Sequence, residues 1–182
     1  MQASVKIMDI DVDMMSNDVF IRKMNEYLTD DHLDVIMFAS TKMLNKAMED
    51  EEYRTLLDKA DLFLPGEKAL LTTHHVDVLE AGNMVVSYRS LGMMLENLTK
   101  EDRTLYIIGD NEDSVEKLQH YCKKMQPELR VVGSYSCEMD MEDAAVVNEI
   151  NSHTPDMILL NLPVGVQESW IMAVSYTHLR AH

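Results

Sequence analysis

Four short stretches of this 182-residue sequence carry side chains suited to acid–base chemistry or polar recognition. Pro65-Gly66-Glu67-Lys68 places a carboxylate directly behind Ala60–Leu64 (ADLFL), an apolar run that reads as a buried strand. Ligands of parallel α/β sheets gather beyond the carboxyl ends of the strands, so Glu67 stands where a general base would stand. Shelter from water would suit it to that work, and pairing with Lys68 would oppose it. The plainer alternative is a first-turn acid matched to the positive end of a helix.

Gln167-Glu168-Ser169-Trp170 follows a second buried run, Met157–Leu160 (MILL), and the loop Asn161-Leu162-Pro163. An amide, a carboxylate and an indole at a strand's carboxyl end suit a sugar or uracil ring by hydrogen bonding and stacking. The alternative is a helix first turn with its acid near the positive end and the indole packed beneath.

Gly109-Asp110-Asn111-Glu112-Asp113 occupies the place of a phosphate loop, a strand-to-helix turn whose free N–H groups attract anions. It has one glycine where a dinucleotide fingerprint has three, and its three carboxylates would repel a pyrophosphate. These acids read as helix-start residues. His74 and His75, with Asp77 nearby, chelate poorly because neighbouring helical residues point roughly 100° apart. His32, His120 and His153 are scattered, so no metal site and no cofactor are expected. There is no Gly-x-Ser-x-Gly elbow and no catalytic-cysteine signature. Cys122 lies on an apolar helical face and reads as core.

These stretches need strands and helices to position them. Val5–Val12 alternates apolar and acidic residues, as a half-exposed strand or hairpin does. Ser16 is placed to cap a helix with Phe20, Met24, Tyr27 and Leu28 on one face. Asp34–Phe38 (DVIMF) is a continuous apolar run, the pattern of a strand covered on both sides. Lys42–Met48 and Glu51–Lys59 read as helices with Asp50 capping the second. Glu67–Leu79 reads as helical, Met84–Ser87 as extended, and Leu91, Met94, Leu95 and Leu98 form a helical stripe. Thr104–Ile108 before Gly109 is the clearest strand-to-turn signal. Val115, Leu118, Cys122 and Met125 share one face of the following helix. Arg130–Gly133 is a strand, and Asp140 caps a helix running through Asn151 before the strand MILL. Strand and helix alternate with short connections, which predicts an α/β fold: parallel strands, crossover helices and a short N-terminal β-hairpin.

Composition sets outer limits. With 46% apolar and 26% charged residues the chain is neither disordered nor collagen-like. No apolar run approaches the roughly 20 residues of a bilayer span. Sixteen basic against 32 acidic residues give a net charge of −16. That surface repels phosphate backbones, so no nucleic-acid partner is expected. Two cysteines, Cys122 and Cys137, fit a reducing compartment. The start lacks the apolar stretch of a signal peptide, so the protein reads as cytoplasmic.

The last nine residues, VSYTHLRAH, carry no acid in a chain with 32 of them. They resemble translated adapter sequence. The expected organisation is a single α/β domain over 1–172, incomplete at its C-terminus, and a non-native tail over 173–182.

Taken together the sequence resembles the WecG/TagA/CpsF family of bacterial glycosyltransferases. The resemblance rests on Val5-Lys6-Ile7, Asp50-Glu51-Glu52-Tyr53-Arg54, Ala60-Asp61-Leu62-Phe63-Leu64-Pro65 and Tyr106-Ile107-Ile108-Gly109. It continues through Gln126-Pro127-Glu128-Leu129, Arg130-Val131-Val132-Gly133, Pro155-Asp156 and, most specific, Gln167-Glu168-x-Trp170. It implies a Rossmann-like fold, a mostly parallel sheet with helices on both faces. It also implies transfer of an N-acetylhexosamine, typically N-acetylmannosamine, from a UDP-sugar donor to a lipid-diphosphate-linked acceptor. That reaction inverts at the anomeric carbon and serves cell-wall or capsule polymer synthesis. In that setting the protein would work at the inner face of the membrane, with homo-oligomers left open.

Where the family usually has Asp-Gly after Leu-Pro, this chain has Gly66-Glu67, which makes Glu67 the substitute for the catalytic base. Ser40, Gln167, Glu168 and Trp170 are the substrate-binding residues that the resemblance implies. The family's Thr-x-Asn falls on Phe38 and Ser40, and its Arg, Gly and Asp fall on Met84, Ser87 and Arg89. Its Pro two before the Gln falls on Gly165, and its membrane-reaching C-terminal segment is not matched in this sequence. A catalytically inactive relative, acting as a binding or regulatory subunit, is the alternative. A small-molecule binding module unrelated to sugars is the third.

Overall fold

Alternating apolar and acidic residues at the start form a hairpin, β1 (Ala3–Ile7) paired antiparallel with β2 (Ile10–Met14). The connecting residues Met8 and Asp9 both have positive φ, 50° and 61°. That is what a tight turn compatible with strand twist requires. Arg54 donates to the Asp9 carbonyl and holds this turn. In β2 Ile10, Val12 and Met14 are buried while Asp11 is exposed, the alternation of a half-covered strand.

The computed structural model describes residues 3–75, 85–139 and 142–176. They fall into two compact units. The first comprises Met1–Glu26 and Asp34–Met93, the second Tyr27–Leu33 and Met94–His182.

In the first unit, Ser16 accepts from the Val19 amide at 3.4 Å as helix α1 (Asn17–Tyr27) begins. The apolar runs DVIMF and ADLFL become β3 (Ile36–Ala39) and β4 (Leu62–Pro65). They pair in parallel with Ala39 opposite Pro65. The crossover consists of α2 (Thr41–Glu49) and α3 (Glu51–Leu57). Asp50 separates them, its backbone N–H closing α2 on Lys46 and its carboxylate accepting from the Tyr53 amide at 3.0 Å. The Asp13 carboxylate accepts from the Phe63 amide, tying the hairpin to β4.

Two local expectations differ from the structure. The helix expected over Glu67–Leu79 is α4, only Lys68–Thr73, followed by His74 as its C-terminal cap and His75 at φ 60°. Residues 76–79 lie outside the described residues. Ser87, expected to be extended, instead starts helix α5 (Ser87–Lys100). Met94, Leu95 and Leu98 of its apolar stripe are buried.

The second unit is built on β5 (Thr104–Gly109), central between β6 (Arg130–Ser136) and β7 (Met157–Asn161), all parallel. Leu105, Tyr106, Ile107 and Ile108 are completely buried, as expected of a strand covered on both faces. Tyr106 and Ile108 pack with Tyr135, Val146, Ile150 and Leu162. Gly109 ends β5 where a Cβ would meet Val115 Cγ2 at 2.6 Å, so a glycine lets α6 (Glu112–Met125) approach the strand. Two further helices of this unit are α7 (Asp143–His153) and α8 (Val166–Tyr176). The residue capping α7 is Glu142, and Asp140 lies outside the described residues. Asp156 accepts from Arg103 Nη1 at 2.9 Å and from the Thr104 amide and hydroxyl at 2.8 Å each, fixing the starts of β5 and β7.

The α/β class, the parallel strands and the N-terminal hairpin therefore form as the sequence predicts. Among the described residues, no helix is long and apolar enough to cross a membrane.

Candidate functional site

Parallel pairing puts the carboxyl ends of β3 and β4 side by side, so the residues following Ala39 and Pro65 become neighbours although 26 positions apart. Ser40 is extended (φ −118°, ψ 158°) and caps α2, its hydroxyl accepting from the Met43 amide at 3.2 Å. The O–H proton of Ser40 remains available to donate. On the other strand, the Gly66 amide donates to the Ala39 carbonyl at 2.8 Å, and the Gly66 carbonyl accepts from Ser87 Oγ at 2.7 Å. A Cβ at position 66 would lie 2.6 Å from the Ala39 oxygen and 3.1 Å from Phe38 backbone and side-chain carbons. Position 66 is thus closed to a side chain by backbone.

Glu67 follows in extended conformation, half-buried, at the start of α4. Its carboxylate does not cap its own helix. It reaches across to α2, where Oε2 accepts from the Thr41 amide at 3.2 Å and the Thr41 hydroxyl at 2.8 Å. Thr41 is the first residue of α2, and its N–H is among the helix-start donors with no partner inside the helix. Lys68 is not a partner of Glu67, and Oε1 has none among the described residues. One oxygen anchored and the other open is a geometry in which a carboxylate can accept a proton.

In the second unit, Gly165 (φ 94°) turns the chain into α8. Proline, fixed near −65°, cannot adopt that conformation, whereas glycine can. Glu168 is completely buried, and its Oε2 accepts from the Gly165 amide at 2.6 Å while Oε1 accepts from Gln167 Nε2 at 2.9 Å. A glutamate three residues into a helix reaching back to the amide at its start is half of a capping box. Gln167 is half-buried, and Trp170 packs against the core cluster around Tyr106 and Ile108. The helix-start reading of this block is thus realised by Glu168 and Trp170, with Gln167 half-buried beside them.

The turn at Gly109–Asp113 is filled by the chain itself. Asn111 and Ser114 form a reciprocal capping box, and Glu138 accepts from the Glu112 amide at 3.2 Å. Among the described residues no group of three or more histidine, cysteine or acidic side chains could hold a metal ion. Asp77, weighed with His74 and His75, lies outside those residues. Cys122 is buried, and burial pushes its thiol pKa up, the behaviour of an inert core thiol.

Of the five site residues expected from sequence, Ser40 and Glu67 share the strand ends of the first unit. Gln167, Glu168 and Trp170 share the helix start of the second. The sequence nominates the strand-end loop Ala39–Lys42, which contains Thr41, but gives Thr41 no role of its own and Ser87 none in holding the acid loop. Thr41 carries a signal only once β3 and β4 are known to pair in parallel, because the residue after the Ser40 cap then faces the residue after Gly66.

The comparison with known families gives the class of the protein. The model of the glycosyl transferase WecG/TagA/CpsF family matches residues 5–181, and the chain belongs to that family of glycosyltransferases. Among curated proteins, none matches the chain.

Proposed function

We propose that this protein transfers an N-acetylhexosamine, of N-acetylmannosamine type, from a UDP-sugar to a lipid-diphosphate-linked acceptor at the inner face of the membrane. The carrying observation is Glu67, whose Oε2 is anchored by Thr41 while Oε1 stays open beyond the carboxyl ends of two parallel strands. In this reading Oε1 takes the proton of the acceptor hydroxyl. The resulting oxygen attacks the anomeric carbon, the bond from that carbon to the UDP oxygen breaks, and UDP leaves with the electron pair. Ser40 holds the donor beside Glu67, and in the second unit Glu168 orients the Gln167 amide for polar recognition while Trp170 packs beneath that helix start. Family membership supports the reaction class.

The test is UDP release from UDP-N-acetylhexosamines in the presence of a lipid-diphosphate acceptor, comparing wild type with Glu67→Gln. Turnover by wild type and its loss in the variant are expected. Equal turnover by both removes Glu67 from the chemistry.

A second reading, a binding or regulatory subunit without turnover, is favoured by the closed position 66, where the family's acid has no space. Donor binding without UDP release by wild type would select it.

A further inference from the structure

We infer that Thr41 is the positioning residue of this site: its amide and hydroxyl together clamp Glu67 Oε2 and so present Oε1 as the proton-accepting oxygen. The inference rests on the reading of Glu67 as base.

Three independent ties converge on the segment. The amide of Gly66 is fixed to Ala39, its carbonyl to Ser87, and the carboxylate that follows to Thr41. The first two fix the backbone from which Glu67 projects. A glutamate side chain has three rotatable bonds, and ordering such a side chain costs it that rotamer freedom. Two donors on one oxygen offset that cost where a single long hydrogen bond would not. Because both donors belong to one residue and meet the same oxygen, the clamp selects between the two carboxylate oxygens. A salt bridge to a mobile lysine would not discriminate between them. The helix-start amide adds its share of the helix dipole, which favours a negative charge at that point.

The arrangement also compensates for the position of the acid. Glu67 stands one residue beyond the place where the family carries aspartate, and it has one more methylene than aspartate. Its reach would scatter the reactive oxygen unless a neighbouring element fixed it, and misplacement by an ångström costs about a hundredfold in rate.

The decisive variant is Thr41→Pro, which removes the hydroxyl and the amide hydrogen in one substitution. Proline is favoured at the first position of a helix. The preceding Ser40 already has the extended conformation that a following proline demands. Thr41→Ser keeps both donors and serves as the rescue. With UDP-N-acetylhexosamine and the lipid-diphosphate acceptor, Thr41→Pro is expected to lower kcat about tenfold to a hundredfold. KM for the donor should stay within about twofold, since the variant leaves the Ser40 hydroxyl in place, and Thr41→Ser should match wild type. A kcat for Thr41→Pro within about twofold of wild type, alongside an inactive Glu67→Gln, overturns the inference and leaves Glu67 as base. Full activity in Glu67→Gln overturns the base reading and the inference with it. A crystal structure of Thr41→Pro gives a readout independent of turnover. The Glu67 carboxylate is expected to leave its place or spread over several rotamers, and a carboxylate unmoved from its wild-type place overturns the inference.

Discussion

Gly66 and Ala39 approach so closely that the Gly66 amide bonds the Ala39 carbonyl at 2.8 Å, and an added Cβ would come within 2.6 Å of the same oxygen. The contact is with backbone, which cannot rotate away as a side chain would. Gly66→Ala is therefore expected to destabilise the protein by about 1–3 kcal/mol, the range for overpacking, and Gly66→Asp by at least as much. Thermal unfolding measures both. A stable Gly66→Asp variant with raised transferase activity would show that the loop can reopen for the family's acid.

Tyr106 is completely buried in the core of the second unit, and its hydroxyl has no hydrogen-bond partner among the described residues. Removing a buried unpaired hydroxyl removes its desolvation cost, so Tyr106→Phe is expected to stabilise by about 1 kcal/mol. Denaturant unfolding at neutral pH checks this.

The same phenol gives an alkaline signature. Burial, and then the charges of Glu149 and Tyr135, push its pKa from 10.0 up to about 12. The folded state thus holds the proton more tightly than the unfolded state. The corresponding stability is fully present below pH 10 and is lost as pH rises from 10 towards about 12. Wild type should lose stability over that window, and Tyr106→Phe should lose less.

Asp156 gives the acid counterpart. Burial pushes its carboxyl up, but the hydrogen bonds from Thr104 and the Arg103 guanidinium outweigh it and hold the pKa below 3.8. A depressed folded pKa stabilises above the unfolded value, and that contribution is lost as pH falls below 3.8 through the folded pKa. Asp156→Ala should cost about 2 kcal/mol at neutral pH, because it strips the acceptor from the Thr104 amide and from Arg103. It should also flatten the acid limb of a stability–pH curve.

Glu168→Ala is expected to cost about 2 kcal/mol, since the Gly165 amide and the Gln167 side chain both lose their acceptor. Gln167→Ala, at a half-buried residue, should unfold close to wild type while weakening UDP-sugar binding. Differential scanning fluorimetry with and without UDP-N-acetylhexosamine separates the two effects.

Strands were the most legible elements because their apolar runs are short, continuous and punctuated. DVIMF, ADLFL, TLYII and MILL all became parallel strands, with ends shifted by no more than two residues. The strand over Arg130–Gly133 runs on to Ser136, since pairing of Ile108 with Tyr135 and Gly109 with Ser136 holds polar residues that no hydropathy pattern marks. Met125, placed with Val115 and Cys122 on one helical face, ends the helix exposed, where nothing is left to cover it. Ser87 read as extended because VVS is β-prone, yet it opens a helix with its hydroxyl committed to the Gly66 carbonyl. The site was legible as a list of polar residues at strand ends. The Thr41–Glu67 clamp was not, because it spans 26 positions and follows from strand register alone.

Glu138, lying against the first turn of α6, acts as a built-in stand-in for an outside anion. A sulfate or phosphate ion entering from a crystallisation liquor would have to push that carboxylate off the amide behind it. Density appearing there would then mark a displaced acid, so the search for the sugar nucleotide is better begun where Thr41 meets Glu67.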